Sequence, residues 1–208
     1  CDAIVNNVVS EYNGLGYSGT NSGGSLYITS SIFRNNKGGL APNTLDSELL
    51  PPERETFIIG NLIENNNNYN SPATNSTYLS YGNGVVIAGG NNNIIKNNVI
   101  VDHDLYGVIL TASMDVNYWP AHGNRVEENL ILSSRKADIA VSGVSNLANC
   151  FEGNYFNTSI PPGLQALNEC ENNIMPLSAD LSGLWSTIAR LIYANTGDFY
   201  QDDWRTLP

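Results

Sequence analysis

Apolar and polar positions recur along this chain in a short frame: an aliphatic or aromatic residue, two positions, a small polar residue, one position, then a second apolar residue. It reads Ile4-x-x-Asn7-x-Val9, Ile28-x-x-Ser31-x-Phe33, Ile58-x-x-Asn61-x-Ile63, Ile95-x-x-Asn98-x-Ile100, Val126-x-x-Asn129-x-Ile131 and Phe151-x-x-Asn154-x-Phe156. Successive frames lie 24 to 37 residues apart. A period of that length marks a solenoid, in which each repeat buries its apolar face only against its neighbours.

Three positions after most frames comes a further small polar residue, Asn36, Asn66, Ser134 or Ser159, with His103 in the same slot. Short β-branched runs follow, as in Gly39-Leu40, Gly84-Val85-Val86-Ile87, Gly107-Val108-Ile109-Leu110 and Asp138-Ile139-Ala140-Val141. Bounded by Gly, Asn and Ser, these runs predict strands. Helical periodicity is absent until Ser178 to Asn195, where Leu184, Ile188, Leu191 and Ile192 share one face behind a Ser182 cap, with Gly197 just past the end.

Asparagine changes the picture from strands in general to stacked coils. Thirty-one residues are Asn, clustered at the corners of the pattern as in Asn65 to Asn68 and Asn91 to Asn93. Asn tolerates the left-handed backbone of a tight corner, and its amide bonds both up and down a stack of like residues. The chain thus resembles the right-handed parallel β-helix proteins with the pectate-lyase-like fold over about residues 1–162. The expected architecture is an all-β, right-handed parallel β-helix of about six coils over residues 1–176. A C-terminal capping helix and extended tail are expected over 177–208. The first frame starts only three residues into the chain, which predicts coils upstream to cover the open strand edges.

A net charge of −11 and a pI near 4.4 exclude the basic footprint that nucleic acid or an anionic membrane requires. Acidity suits the solubility of an exported protein, or Ca²⁺ held by loop carboxylates. No apolar stretch approaches the length of a membrane span. Cys150 and Cys170 flank the last coil and predict a disulfide in an oxidising compartment, the alternative being two buried thiols. Cys1 is the odd one.

Glu11-Tyr12-Asn13-Gly14-Leu15-Gly16-Tyr17, Pro42-Asn43-Thr44-Leu45-Asp46-Ser47-Glu48 and Asp102-His103-Asp104-Leu105-Tyr106-Gly107 are similar to segments of exported β-helix repeat proteins of actinobacteria and their relatives. That resemblance implies a secreted or cell-envelope location and carries over no catalytic residues.

Candidate chemistry lies in three insertions, at about 41–57, 67–83 and 111–124. Rings beside amides and carboxylates are what a sugar groove needs, and Asp46, Tyr106, Tyr118 and Trp119 are the candidates for it. Asp102-His103-Asp104 could supply an acid, a base and a stabilising charge. It is similar to the Asp-Pro-His-Asp signature of alginate C5-epimerases, without the Pro. His103 also occupies the slot that Asn36, Asn66, Ser134 and Ser159 fill, which favours reading it as a stacking residue with Asp102 and Asp104 on the surface. Lys37 and Lys96 lie in frames and are expected to point to solvent. The sequence leaves two readings. One is an exported β-helix that binds or modifies polysaccharide, by lyase, epimerase or hydrolase chemistry if catalytic. The other is a non-catalytic structural or protein-interaction module of the cell envelope.

Overall fold

The computed structural model describes residues 2–47, 49–72, 80–143 and 148–171. The predicted helix at 178–195 lies outside them. The first coil comprises β1 (Ala3–Asn6), β2 (Val9–Glu11) and β3 (Leu15–Thr20), and the second β4 (Gly23–Thr29), β5 (Ile32–Arg34) and β6 (Gly38–Asn43). The third holds β7 (Arg54–Ile59), β8 (Leu62–Glu64) and β9 (Val85–Ala88), and the fourth β10 (Ile94–Lys96), β11 (Val99–Val101) and β12 (Tyr106–Thr111). A hairpin, β13 (Ser113–Met114) and β14 (Tyr118–Trp119), precedes the fifth coil, β15 (Arg125–Glu127), β16 (Leu130–Leu132) and β17 (Ala137–Ser142). The sixth coil is β18 (Cys150–Glu152), β19 (Tyr155–Phe156) and β20 (Ser159–Ile160), followed by one helical turn, α1 (Leu164–Leu167).

Equivalent strands pair in parallel into three six-stranded sheets: A is β1-β4-β7-β10-β15-β18, B is β2-β5-β8-β11-β16-β19 and C is β3-β6-β9-β12-β17-β20. The chain is therefore a parallel β-helix. In-register pairing aligns the apolar positions of the frames into columns down the interior. On sheet A these are Val5, Ile28, Ile58, Ile95, Val126 and Phe151, and from Ile28 onward every member is fully buried. Each such side chain contributes roughly 1.5–3 kcal/mol of burial.

Pairing moves the first frame by one residue. Val5, not Ile4, aligns with Ile28, and Ile4 and Val9 point outward at 74% and 56% exposure. Ile4, Val5, Val8 and Val9 are apolar on both faces, so alternation alone leaves the register open and the hydrogen bonds to coil 2 decide it.

All three corners use one local device, a residue with positive φ followed by a residue whose side chain stacks. Between sheets A and B the left-handed residues are Asn7, Ser30, Gly60, Asn97, Glu128 and Gly153. The stack behind them runs Asn61, Asn98, Asn129, Asn154, each Nδ2 donating to the next Oδ1 at 2.9–3.0 Å. Gln165 of α1 ends it by accepting from Asn154 Nδ2 at 2.9 Å. Between C and A a further ladder joins Thr56, Asn93, Asn124 and Asn149 through backbone N–H to Oδ1 bonds of 2.8–3.0 Å. The sequence signal for this one is Asn or Thr two positions before each of the last four frames.

Where sheet C begins, Gly16, Gly39, Gly84 and Gly107 line up because there is no room for a side chain; a Cβ on Gly39 would sit 2.0 Å from the Gly84 carbonyl oxygen. At the far end Leu164 is fully buried on the last coil, and the Cys150–Cys170 disulfide fastens the segment after α1 to β18.

Candidate functional site

The corner between sheets B and C places the Asp102-His103-Asp104 run. Its left-handed residues are Tyr12, Asn35, Asn65, Asp102 and Ser133, and its stack runs Asn36, Asn66, His103. Asp102 is thus a turn residue, exposed, with its carbonyl accepting from Asn67 Nδ2 at 2.7 Å. His103 is 1% exposed; its Nδ1 accepts the Asn66 N–H at 3.4 Å, and Nε2 has no hydrogen-bond partner among the described residues. Burial pushes its imidazole down to about 4, against the nearby Ile63 carbonyl and the Asp104 charge. A neutral ring sealed inside the solenoid cannot exchange a proton with a bound substrate.

Asp104 faces the other way and is half-buried. Its Oδ2 accepts from the Tyr81 hydroxyl at 2.9 Å, its Oδ1 from Arg135 at 3.3 Å, and its backbone N–H donates to Asn67 Oδ1 at 2.7 Å. Burial, then the bond and charge of Asp104, push the Tyr81 phenol up to about 12. Tyr69 packs edge-on against Tyr81 at 6.1 Å, and the Lys37 ammonium lies 5.2 Å from the Tyr69 ring centroid. Lys37 is 2% exposed, which corrects the expectation that it reaches into solvent. Tyr106 is buried too, in a second apolar cluster on the outer face of sheet C with Val86, Ile109, Ala137 and Ala140, and Lys136 lies 4.9 Å from its ring centroid.

The other candidates gather at the opposite end of sheet C. Asp46 Oδ2 accepts the Asn117 N–H at 2.7 Å, while Oδ1 accepts from Asn117 Nδ2 at 2.6 Å and from Trp119 Nε1 at 3.1 Å. These donors, those of Asn117 foremost, hold its carboxyl below the usual range. The Asp46 N–H donates to Asp115 Oδ2 at 3.0 Å, and the Ser113 hydroxyl to the Thr44 carbonyl at 2.7 Å. Of the four saccharide candidates Asp46 meets Trp119, with Tyr118 beside it on β14, while Tyr106 lies elsewhere; the Asp46 bonds clamp the β13–β14 hairpin onto the segment that follows β6.

The two sets are separated by the length of β12, six residues or about 17 Å at ~3.3 Å per step. Paired carboxylates acting on one glycosidic bond sit roughly 5–9.5 Å apart. No shared acid–base pair forms between Asp46 and Asp104.

Sequence reasoning missed Glu53 as a buried group. It is fully buried, with Oε1 accepting from the Thr56 hydroxyl at 2.6 Å and Oε2 from Asn93 Nδ2 at 2.8 Å, so it ends the corner ladder between C and A. Burial pushes its carboxyl up to about 7, against both hydrogen bonds and the Arg54 charge. Asp46 and Glu53 therefore serve different structures and form no shared oxygen cage for Ca²⁺. Among the described residues, potential metal-ligand atoms gather only at Glu127, Cys150 and Cys170, where the two sulfurs are bonded to each other. An open cavity of about 480 Å³ beside the last coil, lined by Phe156, Asn157, Ser159, Pro162 and Ala166, includes none of the candidate residues.

No protein-family model matches this chain, and a comparison with curated proteins finds no match. Among the described residues no helix is long and apolar enough to cross a membrane.

Proposed function

We propose that this chain is a non-catalytic β-helical module of an exported or cell-envelope protein, a rigid solenoid that presents its loops to another envelope component. One observation carries the reading: the candidate acid–base groups divide into two sets at opposite ends of sheet C, and each makes contacts that hold structure, Asp104 with Tyr81 and Arg135. His103 is a ladder residue, Asp102 a left-handed turn and Asp46 a hairpin clamp. The resemblance to pectate-lyase-like β-helices of actinobacterial exported proteins and the Cys150–Cys170 disulfide support the location.

The test is product analysis of the chain with neutral and uronate oligosaccharides, with and without Ca²⁺. The expected result is no turnover. Turnover abolished by Asp104→Asn or Asp102→Ala would overturn the reading.

Saccharide binding without turnover has one observation in its favour. Tyr69 is 67% exposed and packs on Tyr81, whose hydroxyl bonds the Asp104 carboxylate that also meets Arg135. A saccharide-dependent rise in melting temperature lost in Tyr69→Ala or Arg135→Ala supports it; a rise lost instead in Trp119→Ala moves the site to the hairpin.

A further inference from the structure

We propose that the outer face of sheet C is the docking surface for this chain's own amphipathic stretch at 178–195, laid across coils 2 to 5. The proposal is independent of whether the chain turns over a saccharide, and it names the face of the solenoid that is closed to an outside partner.

Along β6, β9, β12 and β17 the core column is Leu40, Val85, Val108 and Ile139. The next residue of each strand, Ala41, Val86, Ile109 or Ala140, points away from the interior, and these four align by the same register. Adjacent strands do not by themselves close such a face. Val99 and Leu130, at outward positions of sheet B in coils 4 and 5, are 38% and 37% exposed. The four residues on sheet C are only 2–8% exposed. Yet the apolar cluster that Val86, Ile109 and Ala140 build with Tyr106 and Ala137 draws all its members from sheet C and the corner before it. A further layer therefore lies over this face.

Length and chemistry select the segment. Residues 172–208 follow the last described residue, whereas the other stretches outside the described residues, 48, 73–79 and 144–147, are short and tied at both ends. The column from Ala41 to Ala140 crosses three coil steps, about 14 Å at ~4.8 Å each. Seven residues that go out and return reach only about 12 Å, and Thr74, Asn75, Ser76 and Thr77 among them are polar. The stripe from Leu184 to Ile192 spans about 12 Å as a helix at ~1.5 Å per residue, which matches the column. Cys170 is fastened to β18, and the chain from there to Leu184 extends up to roughly 45 Å, ample to round the last coil. Ala41, Ala88, Ala137 and Ala140 make the face shallow, and large Leu and Ile side chains pack well on small ones.

The stretch is not required at the end of the solenoid. There Leu164 is fully buried, Gln165 terminates the Asn stack and the Asn168 carbonyl accepts the Phe151 N–H at 2.8 Å. With that end closed by α1, the apolar stripe is left for sheet C.

The experiment is maleimide labelling of single cysteines in the full chain carrying Cys1→Ser, with the disulfide intact. Ala140→Cys reports the covered face, Leu130→Cys the open face of sheet B and Ile131→Cys the interior. Ala140→Cys is expected to react about tenfold or more slowly than Leu130→Cys. Adding Ile188→Asp and Leu191→Asp should bring it close to the Leu130→Cys rate, because carboxylates do not stay in an apolar contact, while Ile131→Cys stays unlabelled. The milder Ile188→Ala should raise the Ala140→Cys rate in part. Fast labelling of Ala140→Cys with the natural tail overturns the proposal. Slow labelling that persists with both carboxylates in place overturns it too and assigns the cover to another segment. Ile131→Cys exposed in step with Ala140→Cys also overturns it, by placing the stripe in the solenoid's interior.

Discussion

Replacing Glu53 by glutamine and, separately, His103 by asparagine should tilt the stability of this fold in opposite directions with pH. Glu53 ionises near 4.5 in the unfolded chain and near 7 in the folded one. Below pH 4.5 both states carry the proton and the group is neutral to stability. As pH rises to 7 the unfolded chain ionises first, so stability falls by about 3 kcal/mol, at about 1.4 kcal/mol per pH unit between the two values. His103 moves the other way, from 6.5 unfolded to about 4 folded. Its neutral form is favoured in the fold, so its contribution is full above pH 6.5 and about 3 kcal/mol is lost as pH falls to 4.

In the wild-type chain the two slopes oppose one another over nearly the same window. Glu53→Gln keeps an acceptor for Asn93 and an amide donor for Thr56 but cannot ionise. It should gain up to about 3 kcal/mol at pH 8 and then lose stability steadily on acidification. His103→Asn removes the acid-sensitive group, and its amide can bond the Ile63 carbonyl as Asn66 Nδ2 bonds Phe33 O at 3.0 Å. That variant should be the more stable at pH 4.5 and decline toward neutral pH. Urea unfolding followed by circular dichroism between pH 4 and 8 reads both slopes. A Glu53→Gln curve that tracks wild type at pH 8, or one that rises toward acid, would refute the reasoning.

Three further outcomes follow from the packing. Asn98→Ala breaks four buried side-chain hydrogen bonds, to Ile58, to Asn129 and two from Asn61, and should cost about 3–4 kcal/mol in denaturant unfolding. Cys150→Ser opens a loop of 20 residues and should lower stability by about 3 kcal/mol, a difference that a reductant abolishes by bringing the wild type to the same melting point. Asp46→Ala should release the β13–β14 hairpin without unfolding the coils, seen as faster proteolysis between residues 113 and 119 while the melting temperature of the solenoid holds.

The six repeats, the stacking Asn and the strand chemistry were legible because each follows from local pattern. A period-2 alternation beside a residue that tolerates positive φ has few other uses. Lys37 and Glu53 were not legible, since a charged residue next to a frame reads as solvent-facing until a neighbouring coil covers it. His103 was legible as one of two alternatives, and the position of Asn66 one coil away decided between them. Asp46, Tyr106, Tyr118 and Trp119 were picked as one group by their residue types, but Tyr106 packs in a separate apolar cluster and what the other three do was not legible. Whether a carboxylate beside a ring awaits a sugar or already holds a hairpin depends on which donors reach it across some seventy residues of chain.

By itself the sequence determined the solenoid and its repeat of strand and corner, because corner chemistry and apolar alternation act over a few residues and recur, while the three sheets and the bond between Cys150 and Cys170 are read from the structure. Only the tertiary structure decided the register of the first coil and which polar groups are sealed inside. It also decided that Asp46 and Asp104 lie a strand's length apart. Those outcomes depend on backbone hydrogen bonds between coils and on burial by residues distant in sequence, and neither leaves a mark in the local pattern.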